Sequence, residues 1–304
     1  IRDAQESRGL GDVYKRQPIK KAIFPVAGLG TRFLPVTKSI PKEMLPIVDK
    51  PLIQYAVEEA RDAGIEEIVF VTGRGKAALE DHFDRSYELE YTLKSRGKKD
   101  VLGDLENLFS KDGFRVTYTR QGEPLGLGHA VGCAASIIGD EPFAVLLADD
   151  VFLGKKGCLR QMVEVYEKTG GNLISAMEVP LEHTSRYGII TPGRTTGKIT
   201  EVAGLIEKPD PEMAPSRLAV SGRYILQPEI FKYLAKGSKG AGGEIQLTDA
   251  MLELIKPHQF HAIKIDGHRF DCGSRIGWLE ANIAFSLGRE ELKNDMKRLL
   301  HKYI

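Results

Sequence analysis

The chain has 304 residues, with 43 Lys and Arg against 42 Asp and Glu, a formal net charge of +1. So close a balance argues against nucleic-acid and anionic-membrane partners, which demand a basic surplus. At 42% apolar and 28% charged, the composition also excludes disorder, collagen and repeat arrays. No apolar run approaches the ~20 residues that span a bilayer, and no signal-peptide pattern opens the chain. Cys133, Cys158 and Cys272 are too scattered for a disulfide framework or a zinc site, so a reducing cytoplasm is expected. Residues 1–17 lack a starting Met and any apolar periodicity, and are set aside as a non-native or disordered segment. Residues 18–304 are expected to form one domain, because no linker rich in Pro, Gly or Ser divides them.

In chain order, Lys21–Ala27 reads as a buried strand running into a glycine loop. Pro51–Ala63 reads as a helix with Ile53, Ala56, Val57 and Ala60 on one face. Glu67–Thr72 is a near-continuous apolar strand of the parallel kind. A short helix near Lys76–Phe83 precedes a charged, exposed helical excursion over Arg85–Asp112. Strand Phe114–Arg120, helix Gly128–Ile138 and strand Phe143–Ala148 follow, the last ending at Asp149-Asp150. A helix at Cys158–Lys168 opens the second half. Closely spaced strands at Asn172–Glu178, Tyr187–Thr191, Ile199–Leu205 and Ala219–Leu226 then suggest antiparallel pairs. Helices Pro228–Leu234 and Gln246–Ile255, strand Phe260–Ile265 and helices from Ser274 and Glu290 complete the chain. The alternation predicts an α/β fold of three layers: a mostly parallel mixed sheet, an antiparallel portion and C-terminal helices.

The sharpest local signal is Gly28-Leu29-Gly30-Thr31-Arg32-Phe33 after the first strand. A dinucleotide fingerprint needs a small residue where Phe33 stands, and none of the four Gly-Lys pairs is followed by the Ser or Thr of a P-loop. What remains is a glycine loop inside a basic stretch. Residues 18–50 hold six cationic side chains, among them Arg32 and Lys42, against two acidic ones. Glycines admit backbone N–H groups close to an anion, and Arg and Lys supply charge, so the segment suits phosphate. Asp149 stands directly after a buried strand. That place fits either a turn-capping carboxylate or a ligand for a hard divalent cation.

Ala27-Gly28-Leu29-Gly30-Thr31-Arg32, Pro41-Lys42-Glu43-Met44-Leu45-Pro46 and Asp49-Lys50-Pro51 together resemble the sugar-phosphate nucleotidyltransferases, in their bacterial UTP–glucose-1-phosphate uridylyltransferase branch. The similarity continues in order through Gln121-Gly122, Gly126-Leu127-Gly128-His129-Ala130, Asp149-Asp150 and Glu207-Lys208-Pro209. It ends with Gly243-Glu244-Ile245-Gln246-Leu247-Thr248-Asp249 and Asp271-Cys272-Gly273. The resemblance implies a Rossmann-like nucleotidyltransferase fold and the conversion of UTP and α-D-glucose 1-phosphate to UDP-glucose and diphosphate. The implied chemistry is a Mg²⁺-assisted in-line attack of the sugar phosphate on the α-phosphate.

It also implies roles. Ala27, Gly28, Leu29, Gly30 and Thr31 would cradle the nucleotide. Gln121 would read the uracil edge, with Gly126 against the ring. Gly188 and Glu207 would meet the hexose, and Lys208 the sugar phosphate. Arg32 and Lys42 would act on the triphosphate and leaving diphosphate, while Asp149 and Asp271 would hold Mg²⁺. Asp150 is left a supporting or turn-capping part, and His129 no catalytic one. His258, His261 and His268 read as surface residues. A homodimer or homotetramer is expected. The rivals are a dTTP-dependent sugar-1-phosphate thymidylyltransferase and a catalytically weak regulatory paralogue.

Overall fold

The computed structural model describes residues 17–109 and 113–303, so the reading of residues 1–16 lies outside it. Strand β1 (Lys21–Pro25) is apolar on both faces and feeds two cores. Ala22 and Phe24 enter one, and Ile23 the other. That is the pattern of a strand covered on each side. After it, β2 (Pro46–Ile47) and β3 (Lys50–Pro51) form a small antiparallel hairpin. Helix α1 (Leu52–Asp62) follows directly, burying Leu52, Ile53, Ala56, Val57 and Ala60. Burial of each large aliphatic side chain in such a face contributes about 1.5–3 kcal/mol.

Strand β4 (Glu67–Thr72), helix α2 (Ala77–His82), helices α3 (Tyr87–Ser95) and α4 (Lys99–Phe109), and β5 (Arg115–Arg120) come next. The charged excursion is thus two helices, and α3 buries no residue; residues 110–112 of the predicted stretch lie outside the described ones. The single helix expected over 128–138 is instead α5 (Leu127–Gly132) and α6 (Ala135–Ile138), separated at Cys133 and Ala134. Strand β6 (Phe143–Leu146) then pairs parallel with β1.

The remaining elements are β7 (Asp150–Leu153), α7 (Cys158–Thr169), β8 (Asn172–Glu178), β9 (Gly188–Thr196), β10 (Ile199–Glu207), β11 (Leu218–Leu226), α8 (Ile230–Leu234), α9 (Leu247–Ile255), β12 (Phe260–Lys264), β13 (His268–Asp271), α10 (Arg275–Gly288) and α11 (Glu290–Tyr303). The main sheet runs β5-β4-β1-β6-β11-β8-β12-β10-β9. Its first four strands are parallel; β11 is antiparallel to both β6 and β8, β12 is parallel to β8, and β10 is antiparallel to β12 and β9. Side chains of α1, α2 and α7 pack on one face, and those of α5, α6, α8 and α9 on the other, giving three layers. His261 is buried, contrary to the surface expectation, because β12 is an interior strand flanked by β8 and β10.

Two features decide where chemistry can occur. Chain order reverses between β1 and β6, and in open α/β sheets ligands bind outside the carboxyl ends of strands at such a switch point. The glycine loop leaves β1 there and Asp149 follows β6. The second feature is an antiparallel ribbon, β7 with β13, which pairs Asp150 with Asp271 across 121 positions of sequence. A third, smaller core of Phe33, Leu45, Ile47, Leu52, Val151 and Phe270 seats this ribbon against α10. Trp278 of α10 donates from Nε1 to the Pro46 carbonyl at 2.9 Å, and Ser274 caps the helix by accepting from the Gly277 N–H.

Candidate active site

Between β1 and the first turn of 3-10 helix at Thr31–Phe33, Gly30 adopts φ 66°, ψ 32°. A Cβ there would stand 3.0 Å from Cβ of Lys42, so only glycine lets the Lys42 turn lie against the loop. Thr37 Oγ1 donates to the Gly30 carbonyl at 2.8 Å. Lys76 is buried and joins the same two segments, donating to the Gly28 carbonyl at 2.9 Å and to Glu43 at 2.6 Å. The carboxylate of Glu43 is itself 1% exposed, so the neighbour of Lys42 is anchored rather than solvated.

Two clefts open at the switch point. One, of about 470 Å³, is lined by Ala27, Gly28, Leu29, Gly30, Thr31, Lys42, Gln121 and Gly126 among others. The second, of about 490 Å³, is lined by Arg32, Gly188, Glu207, Lys208 and Asp271 among others. They share Leu127, Leu147, Asp149 and Glu244. Every residue to which the resemblance assigns a binding, catalytic or metal role therefore lines one cleft or the other, and Asp149 stands in both. Arg32 is the surprise of placement. Although it belongs to the glycine loop, it faces the second cleft, with Nη1 3.4 Å from the Gly273 carbonyl.

At the junction Lys42 Nζ donates to Asp149 Oδ2 at 2.6 Å, with 23% and 24% of the two side chains exposed. Burial would lower the Lys42 pKa, but the carboxylates of Asp149, Glu43 and Asp150 together offset it and the ammonium is held above its ordinary range. Burial would likewise raise the Asp149 pKa, and Lys42 instead holds it below the carboxylate range. Both groups are therefore charged at neutral pH. Next to them Asp150 is buried beneath Arg269, whose Nε donates at 2.6 Å. Burial pushes Asp150 up to about 6, with Arg269 opposing the rise.

Asp271 lies alongside. Its Oδ1 accepts from the Gly273 N–H at 3.1 Å and its Oδ2 from the Tyr187 hydroxyl at 3.4 Å. The Cys272 N–H donates to the Asp149 carbonyl at 2.8 Å, fastening the two acidic segments together. A Cβ on Gly273 would stand 2.9 Å from Asp149 Oδ2, 3.1 Å from Asp271 Oδ1 and 3.5 Å from Arg32 Nη1. Two carboxylate oxygens thus face one small gap that the missing side chain leaves open. Among the described residues no three His, Cys, Asp or Glu side chains are grouped to enclose a metal. Mg²⁺ asks for less from the protein, since it characteristically takes one or two carboxylates and completes its shell with water and substrate phosphates. The pair fits that cation.

In the second cleft, Lys208 follows β10 with φ 46°, a left-handed conformation that is uncommon outside glycine, and its N–H donates to the Tyr187 carbonyl at 3.0 Å. Its Nζ lies 3.2 Å from Glu207 Oε1, while Thr248 Oγ1 donates to Glu207 Oε2 at 2.7 Å. In the first cleft Gly126 has φ 110°, and a Cβ there would meet Cβ of Glu244 and the Ile245 carbonyl at 2.8 Å. The Gly128 N–H donates to that carbonyl at 2.8 Å. The segment around Ile245 therefore lies against the loop beside Gln121 at one end and reaches Glu207 through Thr248 at the other.

Sequence reasoning missed several supporting groups. Arg223 is fully buried: Nη1 donates to the Leu147 carbonyl and Nη2 to the Asp150 carbonyl, both at 2.7 Å, bracketing Asp149. Glu59 of α1 accepts from its Nε at 3.1 Å and its Nη2 at 2.9 Å. The ribbon partner Arg269 and the buried Lys76–Glu43 pair were also unforeseen. None of these carries a local sequence signal, because each acts on a residue distant in the chain.

Residues 21–284 match the family model described as nucleotidyl transferase. A UTP–glucose-1-phosphate uridylyltransferase of Komagataeibacter xylinus is 56% identical over 260 residues, covering 86% of this chain and 91% of that protein. Among solved structures, a UDP-glucose pyrophosphorylase complexed with UDP-glucose superposes with a TM-score of 0.82 at 46% identity, over 89% of this chain and 100% of the other. A UTP-bound UGPase from Acinetobacter baumannii gives 0.86 at 42% identity, over 93% and 98%. The chain belongs to the nucleotidyl transferase family, in its UTP–glucose-1-phosphate uridylyltransferase branch.

Proposed function

We propose that this protein joins UTP and α-D-glucose 1-phosphate to give UDP-glucose and diphosphate. The observation that carries the reading is the meeting of the two clefts at Asp149, the cleft lined by the glycine loop lying beside the one lined by Glu207 and Lys208. A phosphate oxygen of glucose 1-phosphate attacks the α-phosphorus. As that P–O bond forms, the bond to the bridging oxygen breaks and diphosphate leaves with the electron pair. The attacking phosphate is already a competent nucleophile, so no general base is needed, and catalysis is positioning and charge neutralisation.

In this reading Ala27–Thr31 cradle the nucleotide, Gln121 reads the base with Gly126 against it, and Lys42 meets the triphosphate. Gly188 and Glu207 meet the hexose and Lys208 its phosphate. Arg32, placed beside Gly273 in the second cleft, is suited to charge shared between the two phosphates at the reacting centre. Asp149 and Asp271 would hold Mg²⁺, which when bound supplies positive charge to the phosphate oxygens. Residues 18–304 would work as one domain, in the cytoplasm, as a homodimer or homotetramer. No described helix is long and apolar enough to cross a membrane.

The test is diphosphate release from UTP, glucose 1-phosphate and Mg²⁺. Turnover is expected with UTP and not with dTTP at equal concentration. Preference for dTTP would make the protein a thymidylyltransferase, and no release with any divalent cation would make it a regulatory paralogue.

A further inference from the structure

The Gln121 amide is held at its nitrogen by two acceptors. Nε2 lies 3.0 Å from the Gly126 carbonyl oxygen and 3.0 Å from Nδ1 of His129, on α5. A carbonyl oxygen only accepts, so the atom facing it is the amide NH₂ and never the amide oxygen. The second N–H is then directed to His129, whose Nδ1 must carry a lone pair. The ring proton accordingly sits on Nε2, which faces Cys133 Sγ at 3.9 Å. With both N–H groups engaged by the protein, what Gln121 offers a ligand in the first cleft is its oxygen.

We propose that His129 is a positioning residue that fixes which end of the Gln121 amide meets the base, and thereby sets the choice of uracil over cytosine. The inference rests on Gln121 as the base reader. Uracil presents an N3–H flanked by two carbonyls, and a fixed amide oxygen accepts from it. Cytosine presents a lone pair at N3, so the same oxygen opposes it. An amide free to rotate would suit either base, because its two ends are interchangeable in shape. Gly126 supplies one restraint through its backbone, and His129 the other through a side chain that can be changed. A site built to pair one polar edge rejects the analogue that leaves it unpaired far more strongly than shape alone can.

Steady-state kinetics of the full chain with UTP and with CTP, at saturating glucose 1-phosphate and Mg²⁺, test this. His129→Phe keeps the ring's bulk and removes the acceptor. It is expected to raise KM for UTP about tenfold and to lower the UTP/CTP ratio of kcat/KM about tenfold, with kcat falling no more than about threefold. His129→Asn returns an acceptor near the place of Nδ1, and is expected to restore both quantities to within about threefold. Unchanged KM and discrimination in His129→Phe, or an Asn variant as impaired as Phe, would overturn the inference. Gln121→Leu separates the two levels. If it leaves UTP use unaltered, the reading of Gln121 falls and the inference with it. If it impairs UTP use while His129→Phe does not, only the role of His129 falls. Long-range ¹⁵N–¹H spectra of the unliganded protein at about pH 8 are expected to show His129 as the Nε2–H tautomer. The Nδ1–H tautomer would refute the lock even if His129→Phe does not fold.

Discussion

At the residue scale the site is a set of opposed charges whose states follow from their partners. Lys42 and Asp149 each lose water on burial, yet each keeps its charge because the other is 2.6 Å away. Asp149→Ala is expected to abolish Mg²⁺-dependent diphosphate release, by about a hundredfold or more, with the far-UV circular dichroism spectrum unchanged. Turnover within about threefold of the parent protein would remove Asp149 from the metal site. Lys208→Ala is expected to raise KM for glucose 1-phosphate at least tenfold while altering KM for UTP less than about threefold. Equal loss for both substrates would end the division of the two clefts between two substrates. These single residues were legible in the sequence because each belongs to a short string: the glycine loop, Pro41–Pro46, Asp149-Asp150, Glu207-Lys208-Pro209 and Asp271-Cys272-Gly273. Their mutual distances were not, since Lys42 and Asp149 stand 107 positions apart.

At the element scale, the Asp149 turn is held from beneath. The fully buried Arg223 of β11 reaches the carbonyls on either side of it and is neutralised by Glu59 of α1. The Leu159 N–H of α7 donates to the same Glu59 at 2.8 Å, so two helices, one strand and one turn share a single carboxylate. Removing that partner leaves a buried guanidinium uncompensated, a change that costs about 3–5 kcal/mol. Glu59→Leu is therefore expected to lower Tm clearly and to raise the Mg²⁺ concentration for half-maximal rate. A Tm within about 1 °C of the parent would show the pair to be dispensable, at the few-degree sensitivity expected per kcal/mol. Helices and core strands were mostly apparent from periodicity, as α1 and β4 illustrate. The ribbon β7–β13 was not, because four-residue strands have no readable period and exist only by pairing with one another. The break between α5 and α6 escaped for a similar reason: continuous apolar spacing through 128–138 does not reveal where a turn is lost.

At the scale of the whole molecule, near neutrality conceals a division of labour. Residues 18–304 carry equal numbers of acidic and basic side chains, yet the 18–50 stretch is basic and the acidic groups Asp149, Asp150 and Asp271 converge from elsewhere. The three cores also close off the thiols, Cys158 in the first, Cys133 against the second and Cys272 in the third. Cys158 and Cys272 are buried and Cys133 partly so, and burial pushes all three above the ordinary thiol pKa. A raised pKa leaves less thiolate at any given pH, so alkylation slows. The native protein is expected to keep full activity through iodoacetamide treatment at about pH 7.5, with all three cysteines labelled only after unfolding. Rapid inactivation by the reagent would show a thiol open to the site.

By itself the sequence determined the fold class, the family and the identity of the groups available for chemistry, since periodicity and short motifs are properties of neighbouring residues. The tertiary structure decided what those groups can do together. Strand order placed the glycine loop and Asp149 at one switch point. The ribbon carried Asp271 to Asp149, and Gly273 left the gap that faces both carboxylates. Arg32 went to the second cleft rather than to the one lined by its own loop, and His129 became the partner of Gln121. Charge coupling and hydrogen bonding act through space within a few ångströms, whereas a sequence records only order along the chain.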